Sequence, residues 1–365
     1  MNRLSAVFCQ VLKKDLENPN LYVMDSNLLL QSTRAQQTHS TNPQLRSLSF
    51  DGQIGNKKRV LITGGAGYIG SVLAPELLKC GYFVRVVDNM MYQYPSLLTC
   101  FINPHFEFVN GDIRNSHLMR EVMSDVDVII HLAAIVGEPA CRKDPELCYS
   151  VNQQGTALIN SLRAPHQQLI FSSTGSVYGK IEGVCKEDTP LNPVSDYGIS
   201  KLAAERIIVN KGNYVIYRFA TAFGLAPRLR LDLLVNDFVW RALKDRNIIV
   251  YEAKFKRTFI HVRDMAESLI FAVENFDKMK NNIYNVGHDS MNFTKEDIAK
   301  KIQEKISFHL HFADFGADPD QRNYEVSYAK IRNAGFETKV TLEQGIEEMV
   351  KGLPTVTLNN PYSVA

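Results

Sequence analysis

The chain has 365 residues, of which 45% are hydrophobic and 22% charged, and its net charge is +2. This is the composition of a folded globular chain with one large or two modest domains, and so small a net charge sets up no field able to gather nucleic acid or an anionic membrane. The six cysteines contain no C-x-x-C pair, which argues against a disulfide scaffold or a zinc site and for reduced thiols, and the longest apolar run, 126–136, is interrupted by Asp127 and His131 and too short to span a bilayer.

In chain order, residues 1–57 come first. Asn, Gln, Ser and Thr cluster from Gln31 to Asn56, with little hydrophobic periodicity. The apolar stretch 6–11 is too short for a secretory signal, and Asp15 and Glu17 argue against a transit peptide. The segment reads as a poorly ordered extension, with a targeting or partner-binding role as the alternative.

At Lys57 the pattern changes. Val60-Leu61-Ile62 is a short apolar run of the kind that forms a buried parallel strand. It runs into Thr63-Gly64-Gly65-Ala66-Gly67-Tyr68-Ile69-Gly70, then a helical pattern over 71–79 closed by Gly81, then a strand over 82–87 that ends on Asp88. Strand, glycine turn, helix, strand and acid make one βαβ unit that binds a dinucleotide. Gly64 permits the tight turn, Gly67 lets the backbone approach the pyrophosphate, and Gly70 lets the helix pack on the strand; the helix-start N–H groups bind phosphate. Asp88 can accept bonds from the adenosine ribose and would repel a 2′-phosphate, which favours NAD over NADP.

Further strands are expected at 107–109, 127–131 and 169–172, separated by helix-sized segments. Gly111-Asp112 follows the third, where an adenine would lie; His131-Leu132-Ala133-Ala134 follows the fourth, with small residues beside the nicotinamide half. The alternation predicts an α/β fold: a Rossmann-type doubly wound parallel sheet with a smaller carboxy-terminal α/β substrate domain. The predicted boundaries are 58–224 for the dinucleotide domain, with returning segments at about 251–286, then 225–250 and 287–352 for the substrate domain, and a tail at 353–365.

Leu169-Ile170-Phe171 opens into Ser172-Ser173-Thr174-Gly175-Ser176, and some way downstream stands Tyr197-Gly198-Ile199-Ser200-Lys201. Tyr and Lys four apart on a helix share one face. A free tyrosine has a pKa near ~10, and a neighbouring ammonium favours its phenolate. Tyr197 so placed can take a hydroxyl proton while hydride leaves the same carbon, and Lys201 can also hold the nicotinamide ribose.

Thr63–Gly70, His131–Ala134, Val151-Asn152 with Gly155-Thr156, Ser172–Gly179 and Tyr197–Lys201 together resemble the extended short-chain dehydrogenase/reductase family, in its branch of nucleotide-sugar epimerases and dehydratases. The resemblance runs from 58 to about 350. It implies Thr174 as the hydroxyl that bonds the reacting group, Tyr197 as acid/base and Lys201 as its partner. It implies NAD held by Gly64, Gly67, Tyr68, Ile69, Gly70, Asp88, Asn89, Asp112, Ile113, Leu132, Ala133, Ala134 and Asn152 together with Tyr197 and Lys201. It also implies a nucleotide-diphosphate sugar held by Thr174, Ser176, Thr221, Asn236, Arg257 and Arg322, and a homodimer; the reduced thiols and the lack of a spanning run set the expected location in the cytoplasm. Two departures are visible: Thr221 stands where the family has Asn in Arg-x-x-Asn-x-Tyr-Gly, and Thr258 stands where it has Asp before the Tyr-Ile-His segment. His261 and Asp264 read as structural, and the alternating His309 and His311 suggest no metal site.

In the family's 4,6-dehydratases an Asp-Glu pair follows the catalytic Thr; here those positions are Gly175 and Ser176. The related 3,5-epimerase has cysteine at the position of Ser176. Thr, Tyr and Lys without a further acid/base pair suit 4-epimerisation through a transient 4-keto sugar. Glu138 or Cys141 is the candidate for an added acid or base. The alternatives are a nucleotide-sugar reductase, dehydrogenase or dehydratase of the same family, and a non-catalytic dinucleotide-binding protein.

Overall fold

Residues 57–181, 183–313 and 325–357 are described by the computed structural model. The extension 1–56, the tail from 358 and Arg322 lie outside the described residues. Among the described residues no helix is long and apolar enough to cross a membrane.

The first half alternates strand and helix: β1 (Arg59–Thr63), α1 (Gly70–Lys79), β2 (Phe83–Asp88), β3 (Phe106–Asn110), α2 (Ser116–Met123), β4 (Val128–His131), α3 (Glu138–Lys143), α4 (Pro145–Tyr149), a π-turn at Ser150–Gly155, α5 (Thr156–Leu162) and β5 (Gln168–Thr174). After a short β6 (Val184–Cys185) come α6 (Asp196–Val209), β7 (Tyr214–Phe219), β8 (Thr221–Phe223), α7 (Leu234–Lys244), β9 (Asn247–Tyr251), β10 (Lys256–His261) and α8 (Val262–Glu274). The remaining strands are β11 (Asn282–Val286), β12 (Asn292–Thr294), β13 (His309–Ala313) and β14 (Glu325–Val326).

The main sheet has seven strands in the order β11-β7-β5-β4-β1-β2-β3, every pair parallel. Such strands are covered on both faces, so they are apolar throughout rather than alternating: Val60, Leu61, Ile62, Val128, Ile129, Ile130, Leu169, Ile170 and Phe171 are all buried. One face packs beneath α1 and α8 and the other beneath α2, α5 and α6. The chain leaves β1 toward β2 on one side, and β4 flanks it on the other, so a crevice opens at the carboxyl ends of β1 and β4. The glycine turn follows β1 directly into that crevice.

A second apolar cluster is built from α7, β9, helix Lys295–Gln303 and helix Leu342–Gly352, with Val235, Val239, Ile298, Ile302, Leu342 and Ile346 at its centre. The segment between these parts returns to the first core: α8 packs on α1, and β11 extends the main sheet beside β7. β8 pairs in parallel with β10, which sets Thr221 beside Phe259.

Candidate active site

The glycine turn is fixed by close backbone approach. Gly64 has φ +68°, and a Cβ there would lie 2.6 Å from Ala133 Cα; one on Gly70 would lie 2.4 Å from the Gly65 carbonyl oxygen. No side chain larger than hydrogen fits either position without moving backbone. The Gly64 N–H donates to the Val87 carbonyl at 2.8 Å, which locks the turn to β2. Asp88 closes the same corner, accepting from the N–H of Ala66 at 3.0 Å and of Met90 at 2.8 Å. Burial raises its pKa, and the two N–H donors work against that rise. Asp112 is gripped by Arg114 through Nε at 2.9 Å and Nη2 at 2.7 Å, which holds its carboxyl below the usual range. Asn89 stands 3.5 Å from it, and Ile113 is buried against the α5 side.

At the end of β4, His131 is buried between two threonines, with Nδ1 2.6 Å from Thr63 Oγ1 and Nε2 2.9 Å from Thr156 Oγ1. Thr156 already donates its hydroxyl proton to the Asn152 carbonyl at 2.6 Å. Nε2 therefore carries the imidazole proton, and Nδ1 accepts from Thr63. Burial pushes His131 down to about 3, so the ring is neutral. Its work is to fix the strand end from which Leu132, Ala133 and Ala134 form the cavity wall.

Thr174 is the last residue of β5, its Oγ1 3.2 Å from both Ser176 Oγ and Ser176 N. The next helix, α6, starts with Ser195 capping the Gly198 N–H at 3.1 Å. Gly198 presses on the β5 turn, where a Cβ would meet the Ser176 carbonyl oxygen at 2.8 Å. This contact brings Tyr197 and Lys201, one helical turn apart, to the same cavity as Thr174 and Ser176. Tyr197 is half-buried. Lys201 is 2% exposed, with its ammonium 4.0 Å above the Phe171 ring, and burial pushes it down to about 7 against the opposing pull of Glu205.

The cavity has a volume of about 280 Å³ and runs from the glycine turn past Asp88 to Thr174 and Tyr197. A cradle that a Cβ would fill, an acid at the end of β2 and a wall of small residues after β4 fit a dinucleotide laid across the switch point.

A family model described as the NAD dependent epimerase/dehydratase family matches residues 60–287. The chain belongs to this family. It is 29% identical over 308 residues to a protein described as a putative UDP-glucose 4-epimerase of Methanocaldococcus jannaschii, covering 80% of this chain and 97% of that one. It is 31% identical over 313 residues to UDP-glucuronic acid decarboxylase 4 of Arabidopsis thaliana, covering 80% and 68%. Among solved structures it resembles the UDP-glucuronic acid 4-epimerase of Bacillus cereus in complex with UDP-glucuronic acid and NAD, at a TM-score of 0.73 and 26% identity, covering 81% and 99%.

The protein is thus an NAD-dependent enzyme of the extended short-chain dehydrogenase/reductase type, and its other candidate residues divide by location. Gly64, Gly67, Tyr68, Ile69, Gly70, Asp88, Asn89, Asp112, Ile113 and Leu132–Ala134 all line the main cavity, as does Thr221. Asn152 is spent elsewhere: it accepts from the Ile135 N–H at 2.8 Å and donates to the Ile135 carbonyl at 2.9 Å and to Ser200 Oγ at 3.0 Å. It ties the post-β4 loop to α6 from behind the wall. Asn236, fully buried, accepts from the Gly224 N–H at 2.9 Å and donates to the Gly224 and Arg230 carbonyls. Arg257, 5% exposed, borders a separate small cavity with Gly175 and Thr221. Thr258 accepts from the Tyr328 hydroxyl at 2.7 Å, His261 is buried and pushed down to about 4, and Asp264 accepts from the N–H groups of Lys339 and Val340 at 3.0 Å each.

One supporting group had no motif to announce it. Glu205, four residues after Lys201, forms a buried pair with Arg218 at 2.8 Å and accepts from Ser173. The i,i+4 spacing from Lys201 was its only trace in the sequence. Arg218 heads the Arg-x-x-Asn-like segment, and its guanidinium turns into this pair and toward the Tyr178 hydroxyl at 3.2 Å. Glu138 lines the cavity beside α3, with Oε1 held by Arg142 at 3.0 Å.

Proposed function

We propose that this enzyme is a nucleotide-sugar 4-epimerase that passes through a transient 4-keto sugar. The observation that carries the reading is Thr174, Ser176, Tyr197 and Lys201 on one cavity wall, with glycine and serine where a dehydratase needs two acids. When bound, NAD supplies the acceptor and later the donor of hydride. Tyr197 Oη removes the proton from the sugar hydroxyl as its carbon is oxidised, and returns it at the end of the cycle. Thr174 Oγ1 steadies that hydroxyl. The Lys201 ammonium lowers the cost of the Tyr197 phenolate. Glu138 lines the same cavity with only its Oε1 held by Arg142, and stays the candidate for any added acid or base.

Arg257 and Ser176 are our candidates for contacts to the nucleotide-diphosphate sugar, since a guanidinium presents its N–H groups in the geometry of phosphate oxygens. We also propose a homodimer, supported by the exposed apolar residues Tyr149, Ile199 and Val209 on α4 and α6, and a cytoplasmic location, supported by five free cysteines among the described residues.

The test is to incubate purified protein, without added cofactor, with UDP-, GDP-, dTDP- and CDP-hexoses and with UDP-glucuronic acid. A changed C4 configuration with no net NADH is expected. Turnover that needs added NADH makes the enzyme a reductase, and carbon dioxide from UDP-glucuronic acid makes it a decarboxylase. Inactivity across the panel, with NAD bound, would leave a binding protein.

A further inference from the structure

The stretch after β8 carries two arginines, Arg228 and Arg230. The structure draws both into the main cavity. Arg230 is matched there by Asp232, with Nε 3.1 Å from Oδ1. Arg228 is 6% exposed, and its guanidinium carbon sits 4.2 Å above the centre of the Tyr92 ring, which lines the same cavity. The Arg228 backbone N–H donates to Ser71 Oγ at 3.3 Å, in the first turn of α1, so the segment lies against the helix end that the glycine turn opens. The charge also lies close enough to Asp88 to act on its carboxyl.

Ser71 and Asp88 belong to the β1–α1–β2 unit and Tyr92 to the loop directly after β2, the half of the site that receives a dinucleotide. Arg257, by contrast, borders the small cavity beside Gly175 and Thr221. A buried guanidinium stacked on a ring is already oriented, and its planar fork matches phosphate oxygens two at a time. Burial and the neighbouring Arg230 both push Arg228 down from its usual range, against the opposing pull of Tyr92, Asp232 and Asp88, and a bound anion favours its charged form.

We propose that Arg228 reaches over from the segment after β8 to clamp the diphosphate of NAD, opposite the N–H groups of the glycine turn. The helix end holds the phosphates from one side and Arg228 closes the other. A cofactor held this way stays in place between oxidation and re-reduction of the sugar carbon, as a cycle with no net NADH requires. The inference rests on the NAD site and not on which sugar is turned over.

The holoenzyme provides the test. Wild type, Arg228→Met, Arg228→Lys and Tyr92→Leu would be purified in parallel and denatured to measure NAD content. NAD and NADP would then be titrated back into the stripped proteins by calorimetry, with circular dichroism to check folding. Arg228→Met is expected to lose co-purified NAD and to bind it at least ~10-fold more weakly, with Arg228→Lys intermediate because it keeps the charge but not the fork. The loss is expected in NAD affinity and not in KM for the nucleotide sugar at saturating NAD. If NAD content and affinity match wild type, the clamp does not exist. A raised sugar KM with intact NAD binding would assign Arg228 to the substrate diphosphate, and weakened NADP binding alone would make it a reader of the 2′-phosphate; either overturns the proposal. Should Arg228→Met fail to fold, Tyr92→Leu decides: removing the ring that orients the guanidinium is expected to weaken NAD binding severalfold, and unchanged binding refutes the clamp.

Discussion

Tyr197 and Lys201 are an ordinary tyrosine and lysine made unusual by position. Lys201 is buried over Phe171, and burial pushes it down to about 7 against the opposing pull of Glu205. Its proton is therefore held weakly near neutral pH, and whatever positive charge remains acts on Tyr197 through little water. Removing the phenolic oxygen leaves this environment in place and takes away only the proton carrier. Tyr197→Phe is expected to lower kcat by roughly 10²–10⁴-fold while co-purified NAD stays near the wild-type level. A variant within a few-fold of wild-type turnover would mean that another group moves the proton. The spacing of this pair was legible because helix geometry alone puts residues four apart on one face. The depth of Lys201 was not, since burial depends on the Phe171 strand and on α3 and α4 packing from elsewhere in the chain.

At the level of elements, the legible parts were those in which local geometry dictates residue type. The β1 turn demanded glycine at 64 and 70, and the structure shows why: backbone atoms of Ala133 and Gly65 occupy the space a side chain would need. Gly64→Ala would add to this clash the cost of φ +68°, about 1–3 kcal/mol of strain at such a position. It is expected to reduce NAD binding and to lower the unfolding midpoint, because the turn must move away from the post-β4 wall. Equal NAD affinity and an unshifted midpoint would show that the wall gives way freely. Asn152 and Asn236 were harder to read. Both stand in motif-like stretches near the site, yet their amides are committed to backbone groups of Ile135, Gly224 and Arg230. Sequence shows that a polar residue recurs near a site; it does not show which way the side chain turns. Glu205 and Arg218 were hidden for a related reason, since a buried ion pair between a helix and a strand leaves no periodic signature.

For the whole molecule, the switch point is also where stability becomes sensitive to acid. His131 joins β1 to α5 through Thr63 and Thr156, and folding lowers its affinity for a proton, from an ordinary 6.5 to about 3. Between those values the unfolded chain binds a proton that the folded chain refuses, so stability falls as pH drops from about 6.5 toward 3 and is unaffected by this group above that window. The loss approaches about 1.4 kcal/mol per pH unit for one proton. Lys201 acts with the same sign in a different window: its folded value of about 7 lies below the ordinary 10.5, so its penalty is complete below pH 7 and is relieved as pH rises above it. Unfolding by denaturant at several pH values from 5 to 7.5 separates the two, because at the acid end Lys201 is protonated in both states, whereas His131, and with the same sign His261, takes up its proton only in the unfolded chain. His131→Gln keeps a neutral donor and acceptor between the two threonines and removes the titration. It is expected to be less stable than wild type at pH 7.5, through imperfect hydrogen bonding, and to lose stability less steeply between pH 6.5 and 5. Parallel slopes in the two proteins would show that the acid limb belongs to another group, such as His261, which burial also pushes down, to about 4; the paired carboxylates Asp112 and Asp289, with lowered pKa values, place their own losses at lower pH.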